Sequence, residues 1–187
     1  MKYRYIYFDL DNTLFASTKA FKEDVARRLG VPVPDGDPAT YYTGIQALFA
    51  PRQQEAEKAF QDSVRDPSVY LTMEPLPGAV EVVQQVAEAG RLAGFITHRP
   101  PEIANATVAS IGRHFQVHAP LFLARNKASA MQLNSLLVED HPDTAQDVAD
   151  AGQGVLLFGD YGYNAKSNLP RIRDWSEFWP YLESLND

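Results

Sequence analysis

Short apolar segments that alternate with amphipathic segments constrain the fold of this chain most strongly. Five of the apolar segments are rich in β-branched and aromatic residues, and we predict strands at Tyr3–Asp9, Arg91–Thr97, Pro120–Ala124, Ser135–Glu139 and Gly154–Phe158. Apolar residues at helical spacing predict helices at Ala79–Ala89, Glu102–Ile111 and Pro142–Ala151. Strands that alternate with helices form a parallel sheet with right-handed crossovers. The predicted fold class is therefore α/β, a Rossmann-like core with a central parallel sheet flanked by helices.

The alternation is interrupted after the first strand. The segments Thr18–Leu29, Tyr41–Phe49 and Arg52–Arg65 are all helical in pattern, and no strand pattern lies between them. We therefore predict a core domain of residues 1–15 and 74–187, with a small helical cap at residues 16–73. The aromatic residues of this insertion have two open interpretations: they form the core of the insertion, or some of them line a pocket for a flat ring.

Composition excludes several classes of function. The chain has 187 residues and a formal net charge of -7, and it contains no Cys. Disulfides, thiolate zinc sites and Cys nucleophiles are thereby excluded. An acidic chain is a poor partner for long nucleic acid, which is bound through Lys and Arg. No apolar stretch has the length of a membrane-spanning helix, and the N-terminus does not resemble a signal peptide, so a cytoplasmic location is the default expectation. The sequence gives no indication of oligomeric state.

Two aspartates stand where the first predicted strand ends. Asp9 and Asp11 are two residues apart, so their side chains project to the same side if the strand stays extended. Ligand sites in open parallel sheets lie at the carboxyl ends of the strands. Two close carboxylates are costly unless a cation or hydrogen bonds compensate. A functional pair is the favoured interpretation, and the alternative is a simple turn, which Asp-Asn-Thr also favours.

The segment Phe8–Leu14 resembles the first motif, DxDxT, of the haloacid-dehalogenase-like (HAD) phosphohydrolase superfamily. Residues similar to its three later motifs follow in order at the ends of predicted strands: Thr97, Lys127 and Glu139-Asp140. Each of these has an ordinary structural interpretation when taken alone, and their joint order carries the resemblance. The resemblance covers the whole chain, with the insertion in the place of the superfamily's cap.

The resemblance implies a chemistry for each motif. Asp9 would be the nucleophile that forms an aspartyl-phosphate, and Asp11 would protonate the leaving oxygen and then take a proton from water. Thr97 would donate a hydrogen bond to the phosphate, and Lys127 would neutralise Asp9 and the transferring group. A second acid at the position of Asp11 favours phosphoryl transfer over carbon–halogen cleavage.

The resemblance also implies a Mg²⁺ cofactor, a cation that prefers oxygen ligands. Its protein ligands would be the Asp9 side chain, the Asp11 backbone carbonyl and Asp140, while Glu139 would hold a metal-bound water.

Several segments resemble one branch of the superfamily, the 5'(3')-deoxyribonucleotidases. They are Glu74–Ala79, Ile96–Pro100, Leu123–Lys127, Leu136–Asp143 and a tail that contains Tyr163-Asn164, Leu169–Ile172 and Asp174-Trp175. This resemblance implies hydrolysis of a small phosphate ester, a deoxy or pyrimidine nucleoside monophosphate. Asn12, where family members often have Gly, and Glu139, where they often have Asp, depart from the pattern.

Six residues are candidates for substrate contacts: Thr13, Phe15, Tyr41, His98, Arg99 and Arg125. His98 and Arg99 adjoin the phosphate-binding Thr and would steer the dianion, although His98 also suits a helix cap. Arg125 matches a family position near the substrate, with a surface ion pair as its alternative. Phe15, Tyr41 or Phe49 of the insertion would stack on a base.

Three other functions remain open at this point. One is a phosphatase or mutase that acts on a phosphosugar or another small metabolite. A second is a catalytically idle HAD-like binding module, and a third is the processing of polynucleotide ends, which the acidic charge disfavours.

Overall fold

The computed structural model describes residues 2–40 and 44–185 of the chain. Its centre is a six-stranded parallel sheet with strand order β3-β2-β1-β4-β5-β6. The strands are β1 (Tyr5–Phe8), β2 (Leu92–Thr97), β3 (Leu121–Leu123), β4 (Ser135–Glu139), β5 (Gly154–Phe158) and β6 (Arg171–Ile172). The five predicted strands and the α/β class are confirmed. The sixth strand was not predicted, because two residues carry no periodic pattern.

Helices cover both faces of this sheet. The helices are α1 (Ser17–Leu29), α2 (Gln53–Val64), α3 (Pro67–Thr72), α4 (Ala79–Glu88), α5 (Ala104–Phe115), α6 (Pro142–Asp150) and α7 (Phe178–Ser184). Ile6 and Phe8 of β1 pack with apolar residues of α4, α5 and α7, whereas Tyr7 packs on the opposite face with α6. This alternation along β1 explains why the strand is apolar throughout. Among the described residues, no helix combines the length and the apolar character needed to cross a membrane.

Helices α1, α2 and α3 form the insertion after β1. Phe21 of α1 meets the rings of Phe60 and Tyr70 edge-on, at centroid distances of 5.5 and 5.8 Å. These contacts give the insertion an aromatic core of its own, and α3 also packs against α5 of the sheet layer. Helix α3 was not predicted, since it is only six residues long. Of the predicted helix Tyr41–Phe49, the structure has a 3₁₀ turn at Gln46–Phe49, and residues 41–43 lie outside the described residues.

The two chain segments that connect the insertion to the sheet layer run side by side. Phe15 forms an antiparallel bridge with Pro75. The Ala16 amide donates to the Glu74 carbonyl at 3.0 Å, and the Leu76 amide donates to the Leu14 carbonyl at 2.8 Å. The insertion therefore leaves and re-enters the sheet layer at one place, directly beside the end of β1. Its boundaries as a separate cap, at residues 16–73, stay a prediction.

Candidate active site

The motif residues meet at the carboxyl edge of the sheet. Asp9 follows β1, Thr97 ends β2, and Glu139 ends β4 with Asp140 directly after it. Strand β1 lies between β2 and β4, so the ends of these three strands are neighbours. All of these side chains are buried. The parallel topology thus brings together residues that lie far apart in the sequence.

Lys127 joins two of these carboxylates from the loop after β3. Its Nζ donates to Asp9 Oδ1 and to Glu139 Oε2, the latter at 2.7 Å. Burial alone would lower the pKa of Lys127, but the charges of Asp9 and Glu139 outweigh it and raise that pKa. Burial raises the pKa of Asp9 to about 7, although the charge of Lys127 opposes this shift. Lys127 therefore stays cationic while Asp9 is costly to ionise.

The carboxylate cluster fits a divalent cation. One oxygen each from Asp9, Glu139 and Asp140 can be chosen so that all three lie within 4.8 Å of one another. Asp9 Oδ2 is buried and has no hydrogen-bond partner among the described residues. Burial, followed by the charges of Glu139 and Asp9, raises the pKa of Asp140. A hard cation with oxygen ligands would satisfy the orphaned oxygen and offset the repulsion between the acids.

Asp11 has a different environment from Asp9. Its Oδ1 accepts hydrogen bonds from Ser17 Oγ at 2.5 Å and from Arg99 Nη2 at 2.7 Å, and its Oδ2 accepts from Arg99 Nε at 2.9 Å. Burial alone would raise the pKa of Asp11, but the Arg99 charge and these hydrogen bonds outweigh it and lower that pKa. Asp11 is consequently held as a carboxylate with both oxygens fixed.

Asn12 makes the turn that separates these two acids from α1. It has a left-handed conformation with φ of 55°, which Asn tolerates better than most residues. Its Oδ1 accepts a hydrogen bond from the Thr18 amide at 2.9 Å. This geometry explains why Asn stands here in place of Gly.

Thr13, a candidate for a substrate contact, is fully buried, and its hydroxyl donates to Asp140 Oδ1 at 3.5 Å. Thr13 therefore contacts the acidic cluster and does not line the cavities described below.

A loop after β5 supports the cluster from the outside. The rings of Tyr161 and Tyr163 are stacked, 5.2 Å apart with an interplanar angle of 9°. The Tyr163 hydroxyl donates to Asp140 Oδ2, and the Tyr161 hydroxyl donates to the Asn12 carbonyl at 2.7 Å. Asn164 Nδ2 donates to the Asp140 carbonyl at 3.0 Å. In the sequence, Tyr163-Asn164 is part of a family signature only, and no local pattern indicates these contacts.

Two adjoining cavities open at this site. The first has a volume of about 340 Å³ and is lined by Asp9, Asp11, Thr97, His98, Lys127, Glu139, His141 and Thr144. The second has a volume of about 220 Å³ and is lined by Asp11, Phe21, Phe60, Gln61, Val64, Tyr70, His98, Arg99 and Pro100. Asp11 and His98 line both cavities, which therefore adjoin each other.

Of the other candidates for substrate contacts, His98 lines these cavities and Arg125 does not. His98 lines both of them, and its Nε2 donates to the Arg125 carbonyl at 3.0 Å. Burial, together with the charge of Lys127, lowers the pKa of His98. The Arg125 side chain is exposed and lines neither cavity. Tyr41 lies outside the described residues.

The structure corrects the expectation that Phe15 stacks on a base. Phe15 is fully buried, and its ring meets that of Phe115 edge-on at a centroid distance of 5.4 Å. The Arg99 guanidinium lies 5.3 Å from its centroid. The ring is enclosed by protein because Phe15 belongs to the segment that pairs with Pro75, so it has no surface left for a ligand.

Known proteins share this sequence pattern and fold. The profile of the family described as "5' nucleotidase, deoxy (Pyrimidine), cytosolic type C protein" matches residues 4–182. A relative from Oceanobacillus iheyensis with the provisional name of nucleotidase is 29% identical over 184 residues, which cover 91% of this chain and 95% of the relative. A HAD family hydrolase from Deinococcus radiodurans, solved with bound phosphate and sodium, has a TM-score of 0.64 at 12% identity and covers 99% of this chain and 97% of its own.

A second solved structure gives the same fold. A HAD-superfamily hydrolase from Ehrlichia chaffeensis has a TM-score of 0.61 at 13% identity, covering 100% of this chain and 98% of its own. The family profile spans the sheet, the inserted helices and all four motifs. The chain therefore belongs to the 5' nucleotidase, deoxy (pyrimidine), cytosolic type C family, and it is a hydrolase with the HAD fold.

Proposed function

We propose that this protein is a magnesium-dependent phosphatase that hydrolyses a (deoxy)nucleoside monophosphate through an aspartyl-phosphate on Asp9. One observation carries the proposal: Asp9 lines a cavity with charged and hydroxyl side chains that adjoins a cavity with three aromatic lining residues, and Asp11 lines both. A nucleotide has the matching two parts, a phosphate dianion and a flat base. The family assignment supports the same class of substrate.

The first cavity suits the phosphate group. Lys127 supplies a fixed positive charge beside Asp9, and Thr97 lines the same cavity with its hydroxyl oxygen accepting a hydrogen bond from the Arg99 amide at 3.2 Å. That hydrogen bond leaves the hydroxyl proton of Thr97 to donate to a phosphate oxygen. Asp9 then attacks phosphorus, a bond forms between its carboxylate oxygen and phosphorus, and the bond from phosphorus to the ester oxygen breaks.

Asp11 moves the protons in both steps. In the second step a water molecule attacks the aspartyl-phosphate and releases Asp9. Ionised Asp11 takes a proton from that water. The first step needs a proton on Asp11 for the departing ester oxygen. A phosphate dianion next to Asp11 favours that proton, since a nearby negative charge opposes ionisation.

The acidic cluster supplies the magnesium site in this proposal. Asp9, Asp140 and the Asp11 backbone carbonyl would hold the ion, with Glu139 next to them, and the ion would neutralise charge on the phosphoryl oxygens. The fit rests on the orphaned Asp9 oxygen and on the oxygen-only donor set. Mg²⁺ is usually bound by only one or two protein carboxylates and keeps several water ligands.

The second cavity favours a nucleoside over a sugar as the rest of the substrate. Its lining residues include Phe21, Phe60 and Tyr70, of which Phe60 is the most exposed. Aromatic rings offer a base a stacking surface, whereas the hydroxyl groups of a sugar phosphate would lose hydrogen bonds to water against such walls. Gln61 lines the same cavity and is the amide side chain there that could bond to the edge of a base.

Phosphate release from a panel of monoesters tests this proposal. The panel contains ribo- and deoxynucleoside monophosphates and phosphosugars, each assayed with magnesium and with a chelator. We expect release from a nucleoside monophosphate that needs magnesium and that Asp9→Asn abolishes. A preference for a phosphosugar would instead support a sugar-phosphate phosphatase or mutase. No release from any member would support an idle binding module, and the cytoplasmic location stays a prediction in either case.

A further inference from the structure

Arg99 was expected to steer the substrate phosphate, but its side chain is turned toward Asp11. We propose that Arg99 is a positioning residue: it fixes the Asp11 carboxylate for proton transfer and joins that carboxylate to the inserted helices. This role rests on the proposed phosphatase function. In this role Arg99 affects mainly kcat, whereas an arginine that binds the substrate phosphate would affect mainly KM.

The pair between Arg99 and Asp11 is bidentate. Nε lies 2.9 Å from Asp11 Oδ2, and Nη2 lies 2.7 Å from Asp11 Oδ1. The two residues are 5% and 3% exposed. A guanidinium fork matches both oxygens of a carboxylate and fixes its plane, which the single ammonium of Lys cannot do.

Arg99 is itself held from several sides. Its guanidinium carbon lies 4.6 Å from the ring centroid of Tyr70 on α3 and 5.3 Å from that of Phe15 in a connecting segment. Nη1 donates to Thr107 of α5 at 3.4 Å. These contacts come from an inserted helix, from the connection and from the sheet layer. The orientation of Asp11 is therefore linked to the packing of the inserted helices against the core.

The same contacts argue against a phosphate-binding role. Arg99 is absent from the lining of the first cavity, which includes Asp9 and Lys127. Of the two cavities, it lines the second. A guanidinium that faced the dianion would have to give up a buried bidentate pair. Breaking such a pair leaves a buried carboxylate uncompensated, which is costly.

Steady-state kinetics of Arg99→Lys and Arg99→Met separate the two roles. The substrate is the best monoester of the panel, with magnesium saturating, and inorganic phosphate serves as a competitive inhibitor. Because proton transfer by a placed side chain contributes about 10²–10⁴-fold, we expect kcat to fall about 10²-fold in both variants. We expect KM and the phosphate inhibition constant to stay within about threefold of wild type. Arg28→Lys makes the same exchange at an ion pair with Asp24 and Asp66 in the inserted helices, away from both cavities, and is the matched control.

The combination with Asp11→Asn gives a second readout. If Arg99 acts through Asp11, the double variant Asp11→Asn/Arg99→Met has the kcat of Asp11→Asn alone, because the two residues work as one unit. Guanidinium ion added to Arg99→Ala should restore part of the lost kcat. Circular dichroism melts report whether each variant is folded before its kinetics are compared.

Two outcomes would overturn this role and leave the proposed function intact. A raised KM and phosphate inhibition constant with an unchanged kcat would make Arg99 a phosphate-binding residue. Fully additive losses in the double variant would show that it acts independently of Asp11. A wild-type chain that hydrolyses no monoester would overturn the proposed function itself, and this assignment with it, so the two failures are distinguishable.

Discussion

The stacked tyrosines of the β5–β6 loop allow a matched test of the metal site. Tyr163→Phe removes the hydroxyl that donates to Asp140 Oδ2 and keeps the ring that stacks on Tyr161. Tyr161→Phe removes a hydroxyl that donates to the Asn12 backbone carbonyl at 2.7 Å and leaves Asp140 untouched. The two substitutions are chemically identical, so a difference between them reports on the contact with Asp140.

The contacts set the size of the expected effect. A hydrogen bond to a charged group contributes about 1.5–3 kcal/mol, and about 1.4 kcal/mol corresponds to tenfold in affinity. The hydrogen bond from Tyr163 is strongest when Asp140 is ionised, which is the state that binds a cation. We therefore expect Tyr163→Phe to weaken magnesium binding by about 10–100-fold, the usual range for residues that orient a metal ligand. Tyr161→Phe loses a bond between neutral groups, about 0.5–1.5 kcal/mol, so its effect stays below about tenfold.

Isothermal titration calorimetry of magnesium into the metal-free protein measures both variants against wild type. Phosphate release at rising magnesium concentration accompanies it, and the kcat of Tyr163→Phe should approach the wild-type value once the metal saturates. Equal magnesium affinity in Tyr163→Phe and wild type would refute the reasoning. A kcat that saturating magnesium does not restore would point to damage outside the metal site.

Three further predictions address the substrate cavity, the acidic cluster and the sheet. Since stacking on an aromatic ring contributes about 1–3 kcal/mol per base, Phe60→Leu should raise KM for a nucleoside monophosphate by about 5–150-fold, and inhibition by inorganic phosphate should not change. In the metal-free protein burial raises the pKa of Asp9 to about 7 and also raises that of Asp140, so protons compete with the cation for both carboxylates. Magnesium affinity measured by calorimetry should therefore rise with pH through about 7, and a pH-independent affinity would contradict the assignment. Gly94 has φ of 153°, and a Cβ there would lie 2.7 Å from the Pro120 carbonyl; Gly94→Ala should lower the free energy of unfolding in urea by about 1–3 kcal/mol, and an unchanged value would show that β2 and β3 can separate at this point.

The parts of the site that follow from sequence are those with a local signature. Asp9, Thr97 and Glu139 stand at the ends of apolar strands, and parallel topology alone brings strand ends together. Strand positions were predictable because burial on both faces produces continuous apolar runs. Short elements such as α3 and β6 lack enough residues to show a period.

The roles that sequence could not reveal depend on long-range pairing. Arg99 and Asp11 are 88 positions apart, and Tyr163 is 23 positions from Asp140. No spacing rule connects residues whose contact is created by the fold. Phe15 was misassigned for a related reason: its aromatic character fits a base pocket, but its backbone pairs with Pro75 and directs the ring into the core.

The central claim, hydrolysis through a phosphorylated Asp9, has a direct measurement. Asp11→Asn should slow both steps, since that variant lacks the proton donor of the first step and the base that activates water in the second. The protein is mixed with magnesium and a deoxynucleoside monophosphate, quenched in acid within the first turnover, digested, and analysed by mass spectrometry. We predict a phosphoryl group on the peptide that contains Asp9 in wild type and in Asp11→Asn, and none in Asp9→Asn. Phosphate release with no modified Asp9 peptide in either active form, or a phosphoryl group on another residue, would contradict the account.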